Sequence, residues 1–200
     1  METITTLDYH VVLGTLSVVI GAIAYVPYLR DVFGGTTKPH PFTWLIFALL
    51  NGLVFFGQVA EGAGPGSWNT AMTAFACMTL AGAGFYVSRT YIRPFDWLCF
   101  AGALLGVVSW VVTKEPLTAI VVATITDALA FLPTIRKAYA HPQTETASLY
   151  VLGTAKYVLG IMALQTFNVA TVLFPASISI INVFFMCMLF IRRRTLKHPA

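Results

Sequence analysis

Long apolar runs separated by short polar connections dominate the chain, and seven of them can be counted. About 20 helical residues are needed to cross a hydrocarbon core of about 30 Å, so each run predicts a transmembrane helix. A strand is not expected, because lipid cannot satisfy the backbone groups of an open sheet edge. The predicted helices, numbered 1 to 7, cover residues 11–29, 42–59, 69–87, 95–112, 117–135, 148–164 and 169–191.

The composition predicts the same class of protein. Of the 200 residues, 58% are hydrophobic and 10% are charged, and the mean hydropathy is +0.78. A soluble domain of this size carries about a quarter charged residues. We therefore expect an all-α integral membrane protein. The first ten residues contain Glu2 and Asp8 but no Lys or Arg, so predicted helix 1 is expected to be retained rather than cleaved as a signal peptide.

The distribution of cations predicts the orientation in the membrane. Only Lys114 lies on the side opposite to the basic connections, which predicts an external N-terminus and a cytoplasmic C-terminus in a multi-pass plasma membrane, of the bacterial inner-membrane type. A nucleic-acid partner is not expected, because no basic domain accompanies the basic tail. The ten cations of the basic side are Arg30, Lys38, Arg89, Arg93, Arg136, Lys137, Arg192, Arg193, Arg194 and Lys197.

An internal repeat appears when the chain is shifted by 106 residues. Residues 22–33 (AIAYVPYLRDVF) then align with residues 128–139 (ALAFLPTIRKAY), and Pro27 matches Pro133. We predict two parallel three-helix repeats joined by one linker helix, a 3+1+3 arrangement in which a substrate would lie between the halves. The predicted units are residues 1–92, the linker helix in 93–115, and residues 116–200 with the basic cytoplasmic tail.

Two registers remain open for the helix that follows each repeated segment. With one unpaired residue in the preceding turn, Asn51 aligns with Lys156. Without that gap, Trp44 aligns with Tyr150.

The chain resembles the PQ-loop family, which includes the SWEET sugar transporters and the cystinosin-like proton-coupled transporters. The resemblance lies in the helix count, the orientation and the Pro-x-[Leu/Ile]-Arg stretches at residues 27–30 and 133–136, although the family's Gln after Pro is Tyr28 and Thr134 here. The cystinosin-like branch carries an acid in helix 5 and a Lys in helix 6, and Asp127 and Lys156 are similarly placed. The resemblance implies transport of a small molecule by alternating access.

Asp127 and Lys156 are the residues around which a site is predicted. Ionisable groups inside a membrane are costly, so they mark a functional site or a pairing. Burial and a nearby opposite charge act in opposite directions on the proton affinity of a carboxyl group, so Asp127 could load and release a proton. Lys156 would be its partner or the anchor of a substrate carboxylate. The alternative is a structural ion pair between predicted helices 5 and 6.

Neighbouring polar residues extend the predicted site. Thr124 lies one turn before Asp127 and could donate a hydrogen bond to it. On predicted helix 2, Asn51 shares a stripe with Trp44 and Gln58, which turns toward packing partners or toward a water-filled path. Trp44 alone would also suit an interfacial anchor.

Predicted helix 7 offers Ser179 and Asn182, which are three residues apart and share a face that could line the site. Pro27 and Pro133 could be hinges of a gate, or they could simply end their helices before a turn. Gly102 and Gly106 allow close helix packing, either in a homo-oligomer or against the same bundle.

No cofactor, metal site or enzymatic activity is expected. The four histidines lie near helix ends without paired spacing, and the sequence holds no GxSxG, HExxH, P-loop or GxGxxG motif. The three cysteines suit small packing residues. The predicted function is secondary transport of a small polar, amino-acid-like solute with proton coupling. The alternatives are an uncoupled sugar or vitamin-like facilitator and a non-transporting seven-helix receptor or scaffold.

Overall fold

A computed structural model of the chain describes residues 8–34, 41–87, 94–140, 142–145 and 147–197. Within these ranges the chain is helical and contains no strand, so the all-α prediction is confirmed there. Two short 3-10 turns, Gly64–Ser67 and Pro142–Thr144, lie in connections. The α-helices are α1 (Tyr9–Phe33), α2 (Pro41–Ala60), α3 (Trp68–Val87), α4 (Pro94–Thr113), α5 (Pro116–Ala140), α6 (Ala147–Met162) and α7 (Val169–Lys197).

Four stretches are long and apolar enough to cross a membrane, judged by length and composition. The helices α4 and α6 contain shorter apolar stretches, Trp97–Thr113 and Ala147–Met162. Many large apolar side chains point outward, as expected for a protein whose surroundings are lipid. The four long stretches are Tyr9–Arg30, Thr43–Ala60, Pro116–Ala140 and Val169–Thr195.

Helix packing follows the same order in the two halves of the chain. The helix α3 packs against both α1 and α2, and α7 packs against both α5 and α6. The halves meet where α1 packs against α6 and where α2 packs against α5, while α4 packs on α5 and α2. The main apolar core lies at these junctions and includes Leu50, Ile120, Tyr157 and Phe174.

One aromatic contact occurs in both halves at the same spacing. Tyr25 of α1 meets Trp44 of α2 edge to face, with ring centroids 6.5 Å apart. Phe131 of α5 meets Tyr150 of α6 in the same way at 6.0 Å, and each ring lies 106 residues after its counterpart. The contact therefore follows the ungapped register, in which Trp44 corresponds to Tyr150.

The prolines of the repeat lie inside helices. The helix α1 continues beyond Pro27 to Phe33, and α5 continues beyond Pro133 to Ala140. The prediction that these prolines end their helices is therefore wrong. A hinge at either position stays a prediction.

The glycines of α4 contact the same chain. A Cβ atom on Gly102 would lie 2.7 Å from Oγ1 of Thr126, and a Cβ on Gly106 would lie 2.7 Å from Cδ2 of Leu53. Both positions therefore face α5 and α2, the second of the two predicted alternatives. A homo-oligomer stays a prediction.

The turn Gly64–Ser67, which connects α2 to α3, is inserted between α1 and α6. Pro65, Gly66 and Ser67 are buried, and a Cβ on Gly14 of α1 would lie 2.8 Å from Pro65. The backbone N–H of Gln165 donates to the carbonyl of Ala63 at 3.1 Å, which joins this connection to the one after α6. The two connections therefore close one end of the bundle together.

Gly66→Ala tests this close packing. A Cβ at position 66 would lie 2.8 Å from the backbone oxygen of Gly160 and from Cα of Leu164. Both are backbone atoms, so relieving the contact would require a shift of the main chain. We expect the substitution to lower the free energy of unfolding by about 1–3 kcal/mol, the usual effect of overpacking. The matched control is Gly82→Ala, because a Cβ there would meet nothing within 4 Å. Equal thermal unfolding midpoints for the two variants in detergent would contradict the expectation.

Candidate functional site

Lys156 is a cation held inside the helix bundle by neutral groups. Its side chain is 4% exposed, and Nζ donates a hydrogen bond of 2.7 Å to Oγ1 of Thr73 on α3. The ammonium also lies 5.0 Å from the ring centroid of Tyr25 and 4.8 Å from that of Tyr157. A hydroxyl and two aromatic rings stabilise a cation without neutralising it. No carboxylate of the described residues lies within ion-pair distance of Nζ.

Asp127 does not form the predicted direct ion pair with Lys156. Its side chain is half-buried on α5, and it makes no hydrogen bond or ion pair with any residue of the described ranges. The reason is the packing order of the second half, in which α5 and α6 each pack mainly against α7. Lys156 extends toward α1 and α3 instead.

The carboxylate of Asp127 nevertheless belongs to the same interior region. It interacts electrostatically with Tyr25 and Tyr157, the two rings that flank the Lys156 ammonium. Both charges also interact electrostatically with the buried thiol of Cys77. The acid and the base therefore act on one set of neutral side chains from different helices.

A hydrogen bond between the two halves crosses this region. The hydroxyl of Tyr157 on α6 donates to Oδ1 of Asn51 on α2 at 3.2 Å, and Nδ2 of Asn51 donates to the carbonyl of Phe47 at 2.9 Å. In the ungapped register Asn51 and Tyr157 are equivalent positions, 106 residues apart. Asn51, predicted from its place on the helix-2 stripe, is thus brought to the site.

Other predicted site residues are bonded elsewhere. Oγ1 of Thr124 donates to the carbonyl of Ile120 at 2.7 Å, so the predicted bond to Asp127 is wrong. A threonine hydroxyl on a helix readily bonds to the carbonyl four residues earlier. Ser179 does the same with Pro175 at 2.8 Å.

Asn182 is buried on α7, and a Cβ on Gly153 would lie 3.2 Å from its Nδ2 atom. This residue therefore faces α6, and its role in lining a site stays a prediction. Gln58 at the end of the helix-2 stripe donates from Nε2 to the carbonyl of Thr171 at 2.9 Å. Gln58 therefore connects α2 to α7, which agrees with the prediction of a packing partner at that position.

Thr73 was missed by the sequence reasoning, as were the two tyrosines beside Lys156. A signal for Thr73 exists, because Asn69, Thr73 and Cys77 recur every four residues and share one face of α3. All three are buried. Thr73 and Lys156 are 83 residues apart in the sequence, so no local pattern predicts the contact between them.

One space between the helices lies apart from Lys156. It is a cavity of about 110 Å³ where α2 and α4 begin and α5 approaches its end. Its lining is mainly apolar and includes no charged side chain. The residues around it are Thr43, Ile46, Phe47, Phe95, Cys99, Ala130 and Thr134.

Comparison with known proteins finds no matching family model, no matching curated protein and no matching solved structure. Among the described residues there is also no group of three His, Cys, Asp or Glu side chains that could hold a metal ion. The function must therefore be inferred from the geometry of the polar residues between the helices.

Proposed function

We propose that the chain is a PQ-loop-like secondary transporter that moves a small polar, amino-acid-like solute by alternating access, with proton coupling. It would have seven transmembrane helices in a 3+1+3 arrangement of two parallel repeats. The recurrence of the Tyr25–Trp44 contact as Phe131–Tyr150 supports the repeat. So does the matching position of α3 and α7 between their neighbours.

The Asn51–Tyr157 hydrogen bond supports a site between the two repeats. When two equivalent units are related by an axis, a residue can touch its own counterpart only close to that axis. Asn51 and Tyr157 are such counterparts and touch at 3.2 Å. Transporters built from parallel repeats hold their substrates between the halves, near the middle of the membrane.

The observation that carries the proposal is the buried ammonium of Lys156 beside this axis. It has neutral partners among the described residues, and the acid of the same region, Asp127, is held apart from it. A stable structural ion pair would have brought the two charges together. Opposite charges that are kept apart inside a membrane protein indicate a binding site for a polar solute rather than a structural ion pair. Asp127 then serves as the proton site, and Lys156 serves as the anchor of the solute.

An uncoupled facilitator is the second candidate. Within the described residues Asp127 and Lys156 are not in direct contact. Protonation of the Asp127 carboxylate therefore does not directly break a bond to the Lys156 ammonium, and this favours the facilitator. Such a protein would move its solute down a gradient at a rate independent of the proton gradient.

Flux measurements on purified protein in liposomes separate the candidate functions. We expect uptake of a small zwitterionic solute such as L-alanine that accelerates when the outside is made more acidic than the inside. Uptake that ignores the pH gradient would support the facilitator. Binding detected by thermal shift without flux at any pH would refute transport and favour a receptor.

A further inference from the structure

Asn69, the second residue of α3, has a buried side-chain amide with no hydrogen-bond partner at either end. Its side chain is 1% exposed, and neither Nδ2 nor Oδ1 has a hydrogen-bond partner. Among the described residues, only Oε1 of Gln58 shares this condition. Buried polar groups in folded proteins are almost always hydrogen-bonded, so an amide with both ends unpaired requires an explanation.

The amide lies beside Lys156, at the junction of α1, α3 and α6. A Cβ on Gly21 of α1 would lie 3.4 Å from Oδ1 of Asn69 and 3.1 Å from Cδ of Lys156, so both side chains border the same point. The methyl group of Met72 on α3 comes nearest to that point and fills it. A Cβ on Gly160 of α6 would lie 3.9 Å from Nδ2 of Asn69. Glycines on both neighbouring helices therefore face the amide. The side chain that fills the space in front of Gly21 is the flexible Met72, which must turn aside for a solute to enter.

Thr73 joins Asn69 to Lys156. Its hydroxyl donates to the backbone carbonyl of Asn69 at 2.7 Å and accepts from Nζ of Lys156 at 2.7 Å. The only donor of the hydroxyl is thereby used, and the hydroxyl positions the ammonium one helical turn from the amide. The side-chain groups left to bind a ligand are the remaining N–H donors of Lys156 and both ends of the Asn69 amide.

We propose that Asn69 and Lys156, positioned by Thr73, form a subsite for a small 2-amino or 2-hydroxy carboxylic acid. The ammonium of Lys156 donates to one oxygen of the carboxylate, and Nδ2 of Asn69 donates to the other. Oδ1 of Asn69 accepts the hydrogen bond of the amino or hydroxyl group on the adjacent carbon. This inference rests on the proposed function, because it specifies the solute, and it adds a binding residue to the site.

The chemistry of the two groups selects this class of solute. A cation without a counter-charge requires an anion, which a neutral sugar does not supply. An amide side chain requires a ligand with an acceptor and a donor close together. A simple carboxylate such as propionate supplies the acceptor but has no donor on the adjacent carbon. A site that leaves buried polar groups unpaired rejects the analogue lacking a partner group, often strongly.

Asn69→Leu separates ligand binding from packing. Leucine has a similar size and removes two unpaired polar atoms, so the unfolding midpoint without solute should be unchanged or higher. The affinity for L-lactate and L-alanine should fall by about 10–100-fold, the effect of losing hydrogen bonds to a charged group. Titration calorimetry of the purified protein measures the affinity, with propionate and L-alaninamide as probes that lack the donor and the anion. The control is Thr79→Leu on the exposed side of α3, which should bind like the wild type.

A second variant covers the case in which the leucine variant does not fold. Asn69→Asp places a carboxylate beside the Lys156 ammonium, so it should fold and should repel the acids. Retained affinity in either variant would overturn the proposal, as would a wild-type protein that binds none of the four probes or binds propionate as well as lactate. A lower midpoint with unchanged affinity would assign Asn69 to packing.

The failure of this inference can be told apart from the failure of transport. Binding that depends on Asn69 but is not accompanied by flux into liposomes would keep the subsite and refute the transporter. Flux of L-alanine that is unchanged by Asn69→Leu would keep the transporter and refute the subsite.

Discussion

Replacing Lys156 by methionine is expected to reduce L-alanine uptake by about 100-fold while the protein still folds. The side chain is 4% exposed and supplies the only cation at the junction of α1, α3 and α6 within the described residues. A hydrogen bond to a charged group is worth about 1.5–3 kcal/mol, which corresponds to a factor of about 10–100 in binding. Loss of the long-range attraction for an anionic solute adds to that factor.

The same variant should keep most of its stability. Methionine has the length of the lysine stem, and its sulfur packs well against aromatic rings such as Tyr25 and Tyr157. Thr73 keeps its hydrogen bond to the carbonyl of Asn69, so no buried hydroxyl is left unpaired. Removing an uncompensated buried cation also removes a desolvation cost. We therefore expect an unfolding midpoint within a few degrees of that of the wild type.

The control for Lys156→Met is Lys114→Met, which makes the same change at an exposed lysine before α5. Uptake by that variant should stay within about twofold of the wild type, since screening weakens an exposed charge. If Lys156→Met also transports at the wild-type rate while folding normally, the buried ammonium has no part in the solute site.

Helix positions could be predicted because each depends on a local property of the chain. The apolar run at 169–191 lies within α7, and the run at 69–87 differs from α3 by one residue at its start. The sequence predicts a helix end near Pro27, because proline restricts the conformation of the residue before it. Packing within the bundle keeps α1 helical beyond it.

The partner of Lys156 could not be predicted because it depends on which helices are neighbours in space. Successive helices usually pack together, and on that basis Asp127 of α5 was assigned to Lys156 of α6. The helices α5 and α6 each pack mainly against α7, and Lys156 meets Thr73 from the other half. The stripe of Asn69, Thr73 and Cys77 on α3 is visible in the sequence. Its role depends on the packing of α3 against α1 and α6, which the sequence does not show.

Only side-chain contacts distinguish the gapped from the ungapped alignment of the predicted repeats. The sequence alone allowed either Asn51 or Trp44 to mark the alignment, because one residue in a turn costs little. The edge-to-face contact that recurs as Phe131–Tyr150 favours the ungapped alternative. As a consequence Gly21 corresponds to Asp127, so one repeat has a glycine where the other has an acid. The two halves of the chain thus have similar helix packing but different charges at these positions.

Asp127→Asn is expected to abolish solute accumulation driven by a proton gradient without stopping exchange. A coupled transporter that moves one proton per solute can concentrate its solute up to about tenfold per pH unit, because each unit supplies about 1.4 kcal/mol. Asparagine has nearly the same shape as aspartic acid but cannot bind or release a proton near neutral pH. The accumulation ratio should therefore fall to about one. The measurement is the steady-state ratio of labelled L-alanine inside and outside liposomes under an imposed pH gradient.

Counterflow in the same liposomes distinguishes loss of coupling from loss of function. Exchange of internal for external L-alanine needs no net proton movement, so the variant should retain it. Asp127 makes no hydrogen bond or ion pair with the described residues, so its neutral analogue leaves no partner unpaired there. The control is Glu115→Gln at the exposed residue just before α5, which should accumulate solute like the wild type. Accumulation that persists in Asp127→Asn at the wild-type ratio would exclude this carboxylate as the proton site and would favour the uncoupled facilitator or another acid.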